Sequence, residues 1–439
     1  MTVHDAEARL FALPRFAAAG SAAYNPGLDR IRALLAAMGD PHHAAPVVHI
    51  AGTNGKGSTA SMVAAIGTAA GLRVGLHTSP HLLRVTERFR VDGAPAPDAW
   101  LAEAVERSGP LWDRIGPSFF EATTALAFGY LAERQVDLMV IEVGLGGRLD
   151  ATNVVAPVAC GVTTVGLDHT DVLGDTVEAI AREKGGIAKP GVPLLTTAEG
   201  AALGTLAAVA REAEAPFEDV RASCRLALRG SHIGENDPAG TGFHLETPLR
   251  RYPDVRLALA GEHQRWNATL AVRLAETAFQ PHAAAVQNGL ARTPALSGLR
   301  GRAEVLRRAP LVVADVAHNA EGLAAALATA RSEMPPGGSL VALVGLMRDK
   351  DARAAANALQ AADAVWTVGL PGERSHSADS LAAAFAEAGL EAKSVRSVAE
   401  GWARFEAEGR RENALLIAGS HVAAAESMAL PPFRNGGTD

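Results

Sequence analysis

The sequence predicts two α/β domains in series, each built on a largely parallel sheet. From about Val47 onward, short β-branched runs alternate with alanine-rich helical stretches, and a second series of the same kind begins near residue 311. Parallel strands need helical crossovers on the faces of their sheet, so this alternation is the mark of an α/β layer structure. Length agrees: the chain has 439 residues, whereas single cores stop growing near ~250–300.

In the first series, residues 47–51 read as a buried strand, followed by glycine-rich punctuation and a helical run to about Ala70. Apolar strands follow at 136–143 and 158–165. Residues 229–251 gather Gly, Asn, Asp and Pro around short strands and predict a β-rich excursion at the edge of this domain. In the second series the strands are 311–315, 339–345, 364–369 and 414–419. The Pro- and Gly-containing stretch 293–300 separates the two, giving domains 1–294 and 300–439.

Composition narrows the function. With 41 Lys+Arg against 48 Asp+Glu the formal net charge is −7, which argues against a nucleic-acid binder with a broad basic face. Cys160 and Cys224, the two cysteines, exclude a disulfide framework and a cysteine-ligated zinc site and fit a reducing compartment. The N-terminus lacks a basic region followed by an apolar core, and the apolar stretch 414–430 is broken by Ser420, His421 and Glu426. The expectation is a cytoplasmic protein with no nucleic-acid or membrane partner.

The strongest local signal is Gly52-Thr53-Asn54-Gly55-Lys56-Gly57-Ser58, directly after a predicted strand and opening a helix. Backbone N–H groups at a helix N-terminus, with one lysine, cradle nucleotide phosphates. The spacing differs from the usual G-x-x-x-x-G-K-[ST]: the first gap is shorter and Gly57 intervenes before Ser58. Glu142 ends the strand VDLMVI and precedes a turn holding Gly144, Gly146 and Gly147. A carboxylate there suits a Walker-B-type magnesium ligand, or a solvated strand end. His169, flanked by Asp168 and Asp171, reads as a metal ligand or as a hydrogen-bonded structural residue. Lys184, fifteen residues on, carries no signal by itself. Arg302 could neutralise triphosphate charge, Asp315 at a strand end could hold ribose hydroxyls, and Asn267 at a helix start could contact a base. Surface solvation is the alternative for each.

Taken together the motifs resemble folylpolyglutamate synthase, a family that includes the bifunctional dihydrofolate synthase and belongs to the Mur ligase superfamily. They are HIAGTNGKGST from His49, TSPHL from Thr78, ERFRVDG from Glu87, FFEATTALAF from Phe119, EVGLGGRLDATN from Glu142, LDHTDVLG from Leu167, REKGGIAKPG from Arg182, DVAHN from Asp315 and MRDKD from Met347. They run in order over roughly residues 25–421, nearly the whole chain. Thr170 stands where many relatives have Met, and Gly185 where Ala is common; neither is a carried-over ligand. Asn25-Pro26-Gly27-Leu28-Asp29-Arg30 resembles a pterin-side loop loosely.

The resemblance implies an N-terminal P-loop ATPase domain and a C-terminal Rossmann-like domain, a Mur ligase-like fold. It implies ATP phosphates on the loop Gly52, Thr53, Asn54, Gly55, Lys56, Gly57 and Ser58, and further nucleotide contacts at Asn267, Arg302, Asp315 and His318. Magnesium ligands carry over to Ser79, Glu142, His169 and, as a carbamate, Lys184, making two ions, with a monovalent cation such as potassium a further expectation. Lys56, Lys184, His169 and Glu142 would be the catalytic set. His318 and Ser420 are the candidates for holding glutamate. The implied activity is ATP-dependent ligation of L-glutamate to folates, and to dihydropteroate, by a monomer through an acyl phosphate.

Two rivals are weaker. A guanine-nucleotide switch would offer an N-K-x-D motif, and none occurs. A cell-wall Mur ligase places a nucleotide-sugar domain ahead of the phosphate loop, and only 51 residues precede Gly52.

Overall fold

The computed structural model describes residues 1–14, 27–228, 242–372 and 374–434. Asn25 and Pro26 of the pterin-side loop, and residues 229–241 of the β-rich excursion, lie outside them. The chain forms two compact units, one drawn from the chain up to Leu299 and the other comprising Leu259–His263 with residues 300 onward.

The first unit contains an eight-stranded sheet: β1 (Val47–Ala51), β2 (Val74–His77), β3 (Phe89–Val91), β4 (Ala94–Pro95), β5 (Leu138–Glu142), β6 (Ala159–Val162), β7 (Leu194–Thr196) and β8 (Phe217–Asp219), in the order β4-β3-β2-β5-β1-β6-β7-β8. The strands from β2 through β8 are parallel, and β3 and β4 add antiparallel at one edge. β1 and β5 are buried along their whole length, which is why they read as unbroken apolar runs rather than alternating ones. Helices cover both faces. The helix Lys56–Ala69 is buried on nearly every side and is accordingly made of Ala, Gly, Ser, Thr and a few larger apolar residues. On one side Phe128, Leu126 and Leu131 of the helix Phe119–Glu133 close over Met139 and Ile141. Farther along the same face, Ala202, Leu206 and Ala210 of the helix Gly200–Glu212 pack with Val162 and Leu194, while Leu274 of the helix His263–Ala278 approaches Gly161 on the opposite face.

The predicted excursion is a separate antiparallel sheet of three strands, β9 (Arg225–Leu228), β10 (Phe243–Glu246) and β11 (Arg251–Val255), in the order β11-β10-β9. Its strands begin before and end after the predicted 229–251. It is anchored by Tyr252, whose buried hydroxyl donates to Glu276 Oε1 (2.7 Å).

The second unit holds a six-stranded sheet, β12 (Glu304–Arg308), β13 (Leu311–Ala314), β14 (Leu340–Val344), β15 (Ala364–Val368), β16 (Lys393–Val395) and β17 (Ala414–Ala418), in the order β12-β13-β17-β14-β15-β16. All pairings are parallel except that of β12 with β13. The last strand inserts between β13 and β14, so the strand order reverses there, a place where α/β sheets open a ligand crevice. No described helix is long and apolar enough to cross a membrane.

Candidate active site

The site in the first unit starts from strand register. β1 and β5 are neighbours with Ile50 opposite Glu142, so the loop leaving β1 and the carboxylate ending β5 emerge side by side. The loop turns at Gly52 (φ +147°), and a Cβ there would overlap the Thr163 hydroxyl. Thr163 and Thr164, just past β6, brace the loop: Thr53 N–H donates to the Thr164 carbonyl (2.7 Å), and the Thr163 hydroxyl donates to the Asn54 carbonyl (2.7 Å). Gly55 caps the helix in the left-handed region (φ +89°), leaving the first-turn N–H groups with no side-chain cap. That is an anion cradle.

Two lysines converge on this cradle. Lys56 Nζ donates to the carbonyls of Gly52 (3.0 Å) and Thr53 (3.1 Å). Lys184 Nζ, on the last turn of the helix Val177–Gly185, donates to the same Gly52 carbonyl (2.8 Å). Lys184 is only 4% exposed. Burial first, and the positive charge of Lys56 next, depress its pKa to about 7, against the opposing pull of Asp168 and Asp150. A substantial neutral-amine fraction near pH 7 follows, and a neutral amine is what adds carbon dioxide to become a carbamate.

What delivers Lys184 is the turn after β5. Arg148 N–H donates to the Glu183 carbonyl (2.9 Å), and its guanidinium pairs with the Glu183 carboxylate (2.8 Å). Asn153 Nδ2 donates to the carbonyls of Arg148 (3.0 Å) and Gly186 (3.1 Å), while Asn153 Oδ1 accepts from Lys189 (2.9 Å). A Cβ on Gly147 would lie 2.7 Å from the Lys184 carbonyl oxygen, so only glycine allows this approach. Buried Asp150 folds the turn by accepting from Leu145 N–H (2.8 Å) and from the N–H (3.0 Å) and hydroxyl (2.6 Å) of Thr152. The whole EVGLGGRLDATN stretch is thus a bracket tying Glu142 to Lys184.

Ser79 and Glu142 meet directly: Ser79 N–H donates to Glu142 Oε2 (3.0 Å), beside the cis Ser79-Pro80 bond. His169 stands in the left-handed region (φ 50°) and caps the short helix Thr170–Leu173; its N–H donates to Asp168 (3.0 Å). The chain reaches it from Gly166, whose backbone bonds the Thr53 hydroxyl in both directions (3.1 Å each). Among the described residues no group of three His, Cys, Asp or Glu forms a ready-made metal cage. The donor set still fits magnesium. Its hydroxyl, carboxylate and imidazole supply few protein ligands, and magnesium completes its shell with water and phosphate oxygens.

Asn267 also belongs to this site. A Cβ on Gly55 would strike its carboxamide, and its Nδ2 donates to Gln264 Oε1 (3.0 Å), whose Nε2 reaches Ser58 Oγ (3.4 Å). Gln264, Thr163 and Asp150 had no assigned role in the sequence reading, because single polar residues on a helix, a strand end and a turn carry no pattern. Arg88 is likewise new. It is buried, stands over the Phe119 ring (5.1 Å), donates to His81 Nδ1 (2.9 Å) and feels the Glu142 charge.

The second unit holds the remaining candidates by itself. Asp315, just past β13, is half-buried and accepts from Ala303 N–H (2.6 Å) and Ala317 N–H (2.7 Å). Burial raises its pKa against the pull of Arg302. His318 Nδ1 bonds the Val316 carbonyl (3.0 Å), and its ring lies 5.8 Å from that of His421. Ser420, just past β17, accepts from Ala423 N–H (3.0 Å), so its hydroxyl caps the helix His421–Ala429.

Against known proteins, the Mur ligase middle domain matches residues 50–275 and the glutamate ligase domain of Mur ligases matches residues 301–421. The dihydrofolate synthase/folylpolyglutamate synthase of Escherichia coli K12 is 33% identical over 414 residues, 94% of this chain and 92% of its own length. The chain belongs to the folylpolyglutamate synthase/dihydrofolate synthase family. The folylpolyglutamate synthase of Lacticaseibacillus casei is also 33% identical, over 92% of this chain and 91% of its own. A probable bifunctional folylpolyglutamate synthase/dihydropteroate synthase of Halobacterium salinarum is 38% identical, but the chain spans only 49% of its length. Among solved synthase structures, E. coli FolC in complex with DHPP and ADP superposes with a TM-score of 0.87 at 29% identity, covering 99% of both chains. A bifunctional synthase with Mn, AMPPNP and L-glutamate bound gives 0.83 at 29% identity, covering 98% of both.

Proposed function

We propose that this protein joins L-glutamate to folates, and to dihydropteroate, at the cost of ATP. The observation that carries the reading is the convergence of Lys56 and Lys184 on the Gly52 carbonyl beside Glu142 and Ser79. Relatives named for this activity align along nearly the whole chain. A carboxylate does not condense with an amine in water, because its oxygen leaves poorly. Transfer of the γ-phosphoryl group of ATP to that oxygen gives an acyl phosphate and ADP. The glutamate amine then attacks the acyl carbon, forming the amide and expelling phosphate.

In this scheme the N–H groups at the start of the helix Lys56–Ala69 hold the phosphates, and Lys56 turns from the Gly52 carbonyl onto them. Asn267 lies beside Gly55 to contact the nucleotide; Arg302, Asp315 and His318, in the second unit, are nucleotide contacts only as the family resemblance implies them. Ser79, Glu142 and His169 would hold one magnesium and carbamylated Lys184 a second, the ions neutralising charge during phosphoryl transfer. Asp150 and Asn153 keep Lys184 in place. Magnesium, the count of two, and a potassium requirement are part of this proposal. Carboxyl-¹⁸O-labelled dihydropteroate tests the acyl phosphate: the released phosphate should carry one labelled oxygen, and unlabelled phosphate would exclude the intermediate.

A further inference from the structure

We propose that His49, in the middle of β1, is a positioning residue for Lys184: through Thr152 and Asp150 it fastens the turn after β5 to the strand that carries the phosphate loop. The proposal rests on the ligase reading above and gives a role to the first residue of HIAGTNGKGST, which precedes the loop itself. His49 is fully buried, opposite Ile141 of β5 on one side and Cys160 of β6 on the other. Side chains alternate along a strand, so His49 shares its face of the sheet with Val47 and Ala51. The centre of a doubly covered parallel strand ordinarily takes an apolar side chain.

The direction of each hydrogen bond follows by elimination. The Asp150 carboxylate accepts from the Thr152 hydroxyl (2.6 Å), which commits the one proton of that hydroxyl. His49 Nε2, 2.8 Å from the same oxygen, therefore carries a hydrogen and donates it. Burial first, and then the charge of Lys189, depress the His49 pKa to about 3, so the ring is neutral and Nδ1 is bare. Nδ1 has no partner among the described residues. A buried acceptor is thus left unsatisfied, an unfavourable arrangement that a valine or leucine at this position would avoid. What the imidazole supplies against that penalty is a single N–H aimed at Thr152.

That bond reaches Lys184 in two steps. Thr152 presents its hydroxyl and its N–H (3.0 Å) to Asp150 Oδ1, and Asp150 Oδ2 accepts from Leu145 N–H (2.8 Å). In the turn folded this way Gly147 lies against the Lys184 carbonyl, and Arg148 N–H donates to the Glu183 carbonyl (2.9 Å). Meanwhile β1 runs on from His49 through Ala51 to Gly52, whose carbonyl accepts from Lys184 Nζ (2.8 Å). The backbone and the amine of Lys184 are therefore both referenced to β1, at points about 10 Å apart along it. Loosening the His49–Thr152–Asp150 chain leaves the phosphate loop as it is, but frees the backbone of Lys184 to shift against that loop.

The test uses the full-length protein, with steady-state kinetics, nucleotide titration and ¹³C NMR under ¹³C-bicarbonate. His49→Leu removes the N–H and should lower kcat by about 10–100-fold, the scale of a displaced catalytic group, with nucleotide affinity kept within about twofold. The carbamate resonance of Lys184 should weaken in step. His49→Gln, whose Nε2 stands in for the imidazole Nε2–H, should recover most of the turnover. Thr152→Val should match His49→Leu, and the double variant should be no worse than either single one, since both break one chain. Where His49→Leu does not fold, His49→Gln and Thr152→Val carry the same contrast. Wild-type kcat and carbamate signal in His49→Leu overturn the proposal, and so do additive losses in the double variant. A loss of turnover matched by an equal loss of nucleotide affinity, unrelieved by His49→Gln, also overturns it and makes His49 a general core residue. If the wild type shows no glutamate-dependent turnover, the ligase reading fails, yet the carbamate and affinity readouts still decide whether His49 positions Lys184.

Discussion

Lys184→Ala is expected to lower turnover by at least about 100-fold, on the order of 3 kcal/mol of transition-state stabilisation. The side chain is buried, touches the phosphate loop through the Gly52 carbonyl, and has a pKa near 7 that makes the free amine available. Intact-mass analysis under carbon dioxide should show the carbamate on wild-type protein and not on the variant. Lys184→Arg separates charge from chemistry. It keeps a cation beside Gly52 but forms no carbamate, so it should be as inactive as alanine. Wild-type turnover in either variant would sink the role assigned to this residue.

Gly52→Ala should be nearly as damaging, through nucleotide binding rather than through the Lys184 amine. The backbone at Gly52 has φ +147°, which L-residues rarely adopt, and the added methyl would overlap the Thr163 hydroxyl. Strain of this kind costs about 1–3 kcal/mol, and relieving it must move the carbonyl on which both lysines converge. Nucleotide titration should show affinity reduced by about 100-fold or more, with a lowered melting temperature. Unchanged nucleotide affinity would mean that the loop tolerates the shift and that its geometry matters less than described.

The elements that the sequence made legible are those with a continuous apolar run. β1 has the bounds read from its residues, and β13, β14, β15 and β17 lie within a residue or so of theirs. β7, β8, β12 and β16 escaped because they are short or lie toward sheet edges, where charged residues such as Arg307, Arg308 and Lys393 interrupt the pattern. Within the site, the Gly52–Ser58 loop was legible because its chemistry is local. Lys184 was legible only through the family resemblance, since its place beside the loop depends on a carbonyl 132 residues away and on the turn that presents it. Gln264 and Thr163 act only through tertiary contacts with Ser58 and Asn54, which no spacing in the chain announces.

The central claim is that glutamate is coupled to ATP cleavage on a folate carboxylate. The most direct measurement is ADP release by the purified protein with MgATP and L-glutamate, supplied with 7,8-dihydropteroate or with tetrahydrofolate, and the products followed by mass. The account predicts ADP release that requires glutamate, and a gain of one glutamyl residue on each acceptor. Gain on tetrahydrofolate alone would restrict the activity to tail extension. ADP release that ignores glutamate, or no glutamyl product under conditions that support a known relative, would contradict it.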